Sequence, residues 1–92
     1  MRNDLRPKKI RGILSKTLDG ETVILRKEDW GCFLLNRTAG YIWRLFNGKN
    51  SIKNLANFLS KKYGIKRALA KKDIEMLLSS LKKRGLVVIV RE

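Results

Sequence analysis

Hydrophobic residues along the chain change their spacing at Asn36, and back again only in the closing run 86–90. Before Asn36 they fall in short runs rich in β-branched residues; after it they recur at three- and four-residue intervals. The stretch from Leu34 to Gly48 spans the change, beginning as a strand, turning at Asn36 and continuing as a helix that stops at Asn47-Gly48. Ala39, Ile42, Trp43 and Phe46 occupy i, i+3, i+4 and i+7, one apolar helical face. Tyr41 and Leu45 lie beside that face and widen it, so this helix is expected between two layers, with Trp43 buried. Asn36 or Thr38 supplies an oxygen for the first free N–H groups, and Gly48 suits a left-handed stop.

The same logic orders the rest of the chain. Residues 1–9 are polar and basic and predict a loosely ordered arm. Residues 10–18 suit a half-exposed strand, Asp19-Gly20 signals a tight hairpin, and residues 22–27 form its return. Glu28-Asp29 makes a polar corner before a third, short strand at residues 31–35. Ser51 is an N-cap for a second helix with Ile52, Leu55, Ala56 and Leu59 on its apolar face, ended at Tyr63-Gly64. A basic connection follows, then a third helix carrying Ile74, Leu77, Leu78 and Leu81 and stopped at Gly85. The apolar run 86–90 predicts a last strand added to a sheet edge, with Arg91 and Glu92 discouraging further pairing. Together these make one α+β domain over residues 1–92: a small antiparallel sheet followed by three helices, winged helix-turn-helix-like.

Charge adds a partner to this picture. The 22 Lys and Arg against 8 Asp and Glu give a net charge of +14, without the matching rise in acids that ion-pair networks require. That excess points to an acidic partner, whether peptide, protein or nucleic acid. No apolar run approaches the ~20 residues of a membrane helix. No signal-type apolar segment follows the basic start, and Cys32 is the sole cysteine, so the expected setting is cytoplasmic.

Catalytic chemistry is scarce. Without histidine the chain lacks the commonest neutral-pH base, a Cys–His pair and any Cys/His metal set. The acidic pairs Asp19/Glu21, Glu28/Asp29 and Asp73/Glu75 are explained by turn polarity and the helix dipole better than by glycosidase-type chemistry. The glycines are isolated and form no phosphate cradle. No enzymatic activity, cofactor or metal is expected.

Two features suit binding. A small open sheet leaves an edge of unpaired N–H and C=O groups that accepts an extended peptide as a further strand; alternatively, the last strand or a second copy fills it. Opposite the core stripe of the third helix lie Lys72, Met76, Ser79 and Lys83, with Leu69 one heptad before Met76. Asp73, Ser80 and Arg84 flank them, making a shallow groove with charged walls, or else a surface on which Leu69 and Met76 are singly exposed.

The segment Leu35-Asn36-Arg37-Thr38-Ala39-Gly40-Tyr41-Ile42-Trp43-Arg44-Leu45-Phe46-Asn47-Gly48 resembles the Leu-Asn-x-Thr-Ala-x-x-Ile-Trp-x-Leu-x-Asp-Gly signature of the PqqD family, with Asn47 in place of the usual Asp. The likeness extends from the Asp19-Gly20 hairpin through Leu55, Leu59 and Tyr63 to Asp73-Ile74, Leu81 and Gly85-Leu86. It implies a precursor-peptide recognition element, a non-catalytic chaperone that holds a precursor's leader segment and delivers it to a modifying enzyme such as a radical SAM maturase or a leader peptidase. It also implies that the leader pairs with the third strand, here Gly31, Cys32, Phe33, Leu34 and Leu35, and lies against Leu69, Met76, Ser80 and Lys83 of the third helix. The rival reading is a winged-helix DNA-binding protein, for which Leu69 and Met76 are poor base readers and Asp73 and Glu75 are repelled by phosphate. A third reading is a small subunit that only stabilises a partner enzyme.

Overall fold

The computed structural model describes residues 4–90. Its elements run β1 (Arg6–Lys9), β2 (Ile13–Leu18), β3 (Glu21–Arg26), β4 (Gly31–Leu35), α1 (Arg37–Arg44), α2 (Ile52–Tyr63), α3 (Arg67–Lys83) and β5 (Val87–Val90). This is an α+β fold with three helices, as the spacing of apolar residues predicts.

Strands β2, β3 and β4 form an antiparallel meander in that order. The hairpin between β2 and β3 closes at Asp19 and Gly20, both at positive φ (51° and 84°), the backbone of a tight primed turn. Register pairs Thr22 with Leu35, Ile24 with Phe33 and Leu25 with Cys32. Because side chains alternate across a strand, Thr22, Ile24, Phe33 and Leu35 share the inner face, while Val23, Leu25, Cys32 and Leu34 share the outer one. Ile24 and Leu35 join the core, and Phe33 packs against it.

Helix α1 lies on that inner face. Asn36 caps it, its Oδ1 accepting from the Ala39 N–H at 2.8 Å. Ile42, Trp43 and Phe46 are buried, with Ala39, Tyr41 and Leu45 packed at the margin. The helix is therefore clamped from both sides, by the sheet and by α2 and α3. Ser51 caps α2, accepting from the Asn54 N–H at 3.1 Å, and Gly64 ends it at φ 65°. Ile52, Leu55, Ala56, Leu59, Ile74, Leu78 and Leu81 are all buried, so both expected stripes face inward; Leu77 lies at the edge.

Two expectations need correction. Of the arm expected over residues 1–9, residues 1–3 lie outside the described residues, but residues 6–9 form strand β1. It pairs antiparallel with β5, Arg6 opposite Val90 and Lys9 opposite Val87. Pro7 costs the β1–β5 ladder no hydrogen bond, because its backbone polar groups face the other side of β1; there its carbonyl accepts from the Gly48 N–H at 2.9 Å, and Lys8 bridges Asn47. The last strand accordingly completes a separate ribbon with β1 and does not extend the meander. Its partner lies at the opposite end of the chain, a pairing that local sequence cannot signal. Arg91 and Glu92 lie outside the described residues.

Candidate groove between strand and helix

Because β5 is used elsewhere, among the described residues β4 pairs on one side only, with β3, and its other edge is open. Gly31, Cys32, Phe33, Leu34 and Leu35 all lie on this strand, as expected. The structure decides which face meets the core: Phe33 and Leu35 point in, while Cys32 and Leu34 point to solvent.

The C-terminal end of α3 meets β4 through Phe33. The Arg26 guanidinium lies 5.2 Å from the Phe33 ring centre and that of Arg84 lies 5.5 Å away. Each cation thus meets the electron-rich ring system. Arg26 also donates from Nη1 to the Arg84 carbonyl, tying the β3–β4 hairpin to the end of α3. A second anchor holds Arg26 from behind: Nε and Nη2 donate to the two Asp29 carboxylate oxygens at 2.9 and 2.8 Å. Those bonds, with the Gly31 N–H donating to Asp29 Oδ1 at 3.0 Å, hold the Asp29 carboxyl down at about 2. The same side-chain hydrogen bond raises the Arg26 pKa.

An open cleft of about 620 Å³ runs along α3, lined by Lys72, Glu75, Met76, Ser79, Ser80, Lys83 and Arg84. Met76 forms its apolar floor and is 64% exposed. The structure thus brings Met76, Ser80 and Lys83 together, but not Leu69, which is exposed and lies outside the cleft lining. Arg26 and Glu75 were missed. Glu75 follows from helical spacing once the boundary of α3 is known, whereas nothing in the local sequence places Arg26 beside a residue 58 positions away. What the arrangement offers is an unpaired backbone edge, an apolar floor and three cations, Lys72, Lys83 and Arg84, on the walls.

Comparison with known proteins gives the groove a context. The family model described as coenzyme PQQ synthesis protein D (PqqD) matches residues 21–87. No curated protein matches the chain by sequence. Among solved structures, the lasso peptide synthetase B1 complexed with the leader peptide is 28% identical, covers 90% of this chain and 98% of its own, and superposes with a TM-score of 0.80. TbiB1 in complex with the TbiA(beta) leader peptide shares the fold at 20% identity, TM-score 0.82, over 92% of this chain and 99% of its own. So does the PqqD truncation of Methylobacterium extorquens PqqCD, described as a functional and stand-alone RiPP recognition element. It has 24% identity and a TM-score of 0.76, over 89% of this chain and 87% of its own.

Proposed function

The chain belongs to the PqqD family, and from that premise we propose that it is a recognition element for the leader of a ribosomally made precursor peptide. It holds the leader and presents it to a modifying enzyme, such as a radical SAM maturase or a leader peptidase, and performs no chemistry on it. The observation that carries this reading is the open edge of β4, whose Phe33 ring meets Arg84 at one end of the α3 cleft. An extended peptide added to Gly31–Leu35 completes the backbone hydrogen bonds that the edge leaves unmade. Its inward side chains meet Met76, Ser80 and Lys83, so main-chain pairing supplies affinity and the cleft supplies selectivity. Two structural relatives, one of them 28% identical, were solved with leader peptides bound.

The helix-turn-helix of α2 and α3 gives the DNA reading its appeal. The α3 surface that would face a groove, however, carries Glu75 beside Met76, so an acid points where phosphate would approach.

The test is to search the gene neighbourhood for a short precursor gene and titrate the chain calorimetrically with a synthetic peptide of its leader, at 50 and 300 mM salt. One-to-one binding that keeps most of its affinity at high salt is expected, because backbone pairing and apolar contact are screened little. Duplex DNA binding that persists at physiological salt would overturn the reading. So would a mass change in the precursor caused by this protein alone.

A further inference from the structure

The outer face of the β2–β3–β4 sheet is mostly apolar on a chain with 22 Lys and Arg. Leu14, Leu18, Val23, Leu25, Cys32 and Leu34 share it, Leu14 and Leu18 on β2 standing opposite Leu25 and Glu21 in register. Leu14 is 48% exposed, Leu18 54% and Leu34 68%, and the charges of this face are Lys16 and, at the hairpin end, Glu21. A shallow apolar hollow of about 450 Å³ lies over β2 and β3. All three helices pack on the other side, so no element of the described residues covers it. Contiguous apolar surface of this kind marks an interaction site.

Size and charge discriminate between occupants. At about 4.8 Å between strands and about 3.3 Å per residue, the face spans roughly 300 Å², less than half of the ~800 Å² each partner contributes to a standard interface. A second copy seated on this face would gain little area and bring a second charge of +14 against the first. A different protein, with its own apolar patch and an acid for Lys16, meets no such repulsion and can recruit the rim.

Continuity with the groove identifies that protein. Cys32 and Leu34 border the open edge of β4. A leader paired there would add a fourth row, every second side chain projecting outward beside them and the others projecting toward α3. Resting on the function proposed above, we infer that the modifying enzyme docks on this outer face. The leader's outward side chains complete the docking surface. One peptide is then read from two sides: the adaptor reads the inward residues and the enzyme reads the outward ones together with the leucines. The enzyme consequently binds the loaded adaptor more tightly than the empty one, and by linkage the leader binds more tightly when the enzyme is present.

The experiment compares the native chain with Leu14→Lys and Leu18→Lys, which lie on β2, the strand farthest from the leader edge. Each is titrated with the synthetic leader and then, with and without leader, with the purified modifying enzyme encoded beside the precursor. Circular dichroism confirms that both variants fold. Leader affinity should stay within twofold in both. Enzyme affinity for the loaded adaptor should fall at least tenfold, and leader should tighten the native chain's hold on the enzyme at least fivefold. Unchanged enzyme binding by leader-competent variants would overturn the inference while leaving the leader-binding function intact. A native dimer that Leu14→Lys dissociates in sedimentation would also overturn it, by making a second copy the occupant. Failure of the native chain to bind leader at all would remove the function and this inference together.

Discussion

A Cβ atom added to Gly40 would collide with the Thr22 Oγ1 atom, standing closer to it than real Cβ atoms approach a non-bonded neighbour. Thr22 is fully buried, and its hydroxyl lies 3.1 Å from that of Thr17 on the neighbouring strand. Helix α1 therefore approaches the sheet as closely as glycine permits, and this approach brings Ile42 and Trp43 into the core.

Gly40→Ala sets two effects against each other. In an exposed helix interior, alanine would gain about 1 kcal/mol over glycine. Here it must push α1 away from β3, and overpacking of this kind costs about 1–3 kcal/mol. The second effect prevails because the atom in the way belongs to a buried, hydrogen-bonded side chain with no room to retreat. Chemical denaturation should show a lower midpoint for Gly40→Ala and a partial recovery in Gly40→Ala/Thr22→Ala. An unchanged midpoint for the single variant would show that the helix can lift without loss.

Trp43 is wholly buried, and its Nε1–H has no hydrogen-bond acceptor among the described residues. Trp43→Ala should cost about 3–5 kcal/mol, the range for deleting a large buried aromatic, and can unfold so small a domain outright. Trp43→Phe should cost markedly less. It keeps much of the apolar volume and removes a buried donor whose lack of a partner costs about 1–3 kcal/mol. Urea titrations of the two variants check the order; equal losses would show that the indole N–H is satisfied in solution.

How much of this was legible beforehand follows from the range of the interactions. The stripes Ile52–Leu55–Ala56–Leu59 and Ile74–Leu78–Leu81 are set by helical geometry within a dozen residues and face the core as their spacing predicts. The Asp19-Gly20 turn is equally local, since it depends on two residues tolerating positive φ. Strand β4 matches the expected residues 31–35, but which of its faces turns inward depends on the register with β3 and on where α1 lands. Strand β1 was invisible because Arg6-Pro7-Lys8-Lys9 has no strand pattern of its own; β5 imposes it. The close approach of Gly40 to Thr22 was invisible for the same reason, as was the Arg26–Phe33–Arg84 stack. Helical periodicity places Leu69, Met76, Ser80 and Lys83 on one face of α3 but does not say how far along the helix the cleft extends, and Leu69 lies beyond its N-terminal end at Lys72.

The stack should respond to acid through Asp29. Its carboxyl is held at about 2, against an ordinary 3.8, first by the Arg26 side-chain hydrogen bond and then by the Gly31 N–H. A depressed folded pKa stabilises the folded state at pH above the ordinary value, and that contribution is lost as pH falls through about 2. Both groups face solvent, so the effect on global stability is small; the local effect is the readable one. Between pH 4 and pH 2, protonation should free Arg26 and shift the Phe33 ring resonances, following an apparent pKa near that of Asp29. Asp29→Asn should abolish this transition. Phe33 resonances that titrate unchanged in Asp29→Asn would assign the effect to another group.

The leader site is tested most directly through the backbone. Along β4 the N–H groups alternate, one set donating to β3 and the other facing the open edge. Proline has no N–H to donate, so Cys32→Pro and Phe33→Pro strike opposite sets. The variant that breaks the β3 ladder should lose fold stability. The other should keep its helical circular dichroism and lose leader affinity tenfold or more. Met76→Glu acts separately: it places an acid on the floor of the cleft beside Glu75 and removes the apolar surface there, so affinity should fall without loss of fold. Leu69→Glu, outside the cleft, should change affinity less than twofold. Calorimetric titration of the leader into each folded variant decides the matter. Full affinity in Met76→Glu and in the folded proline variant would move the site away from β4 and α3.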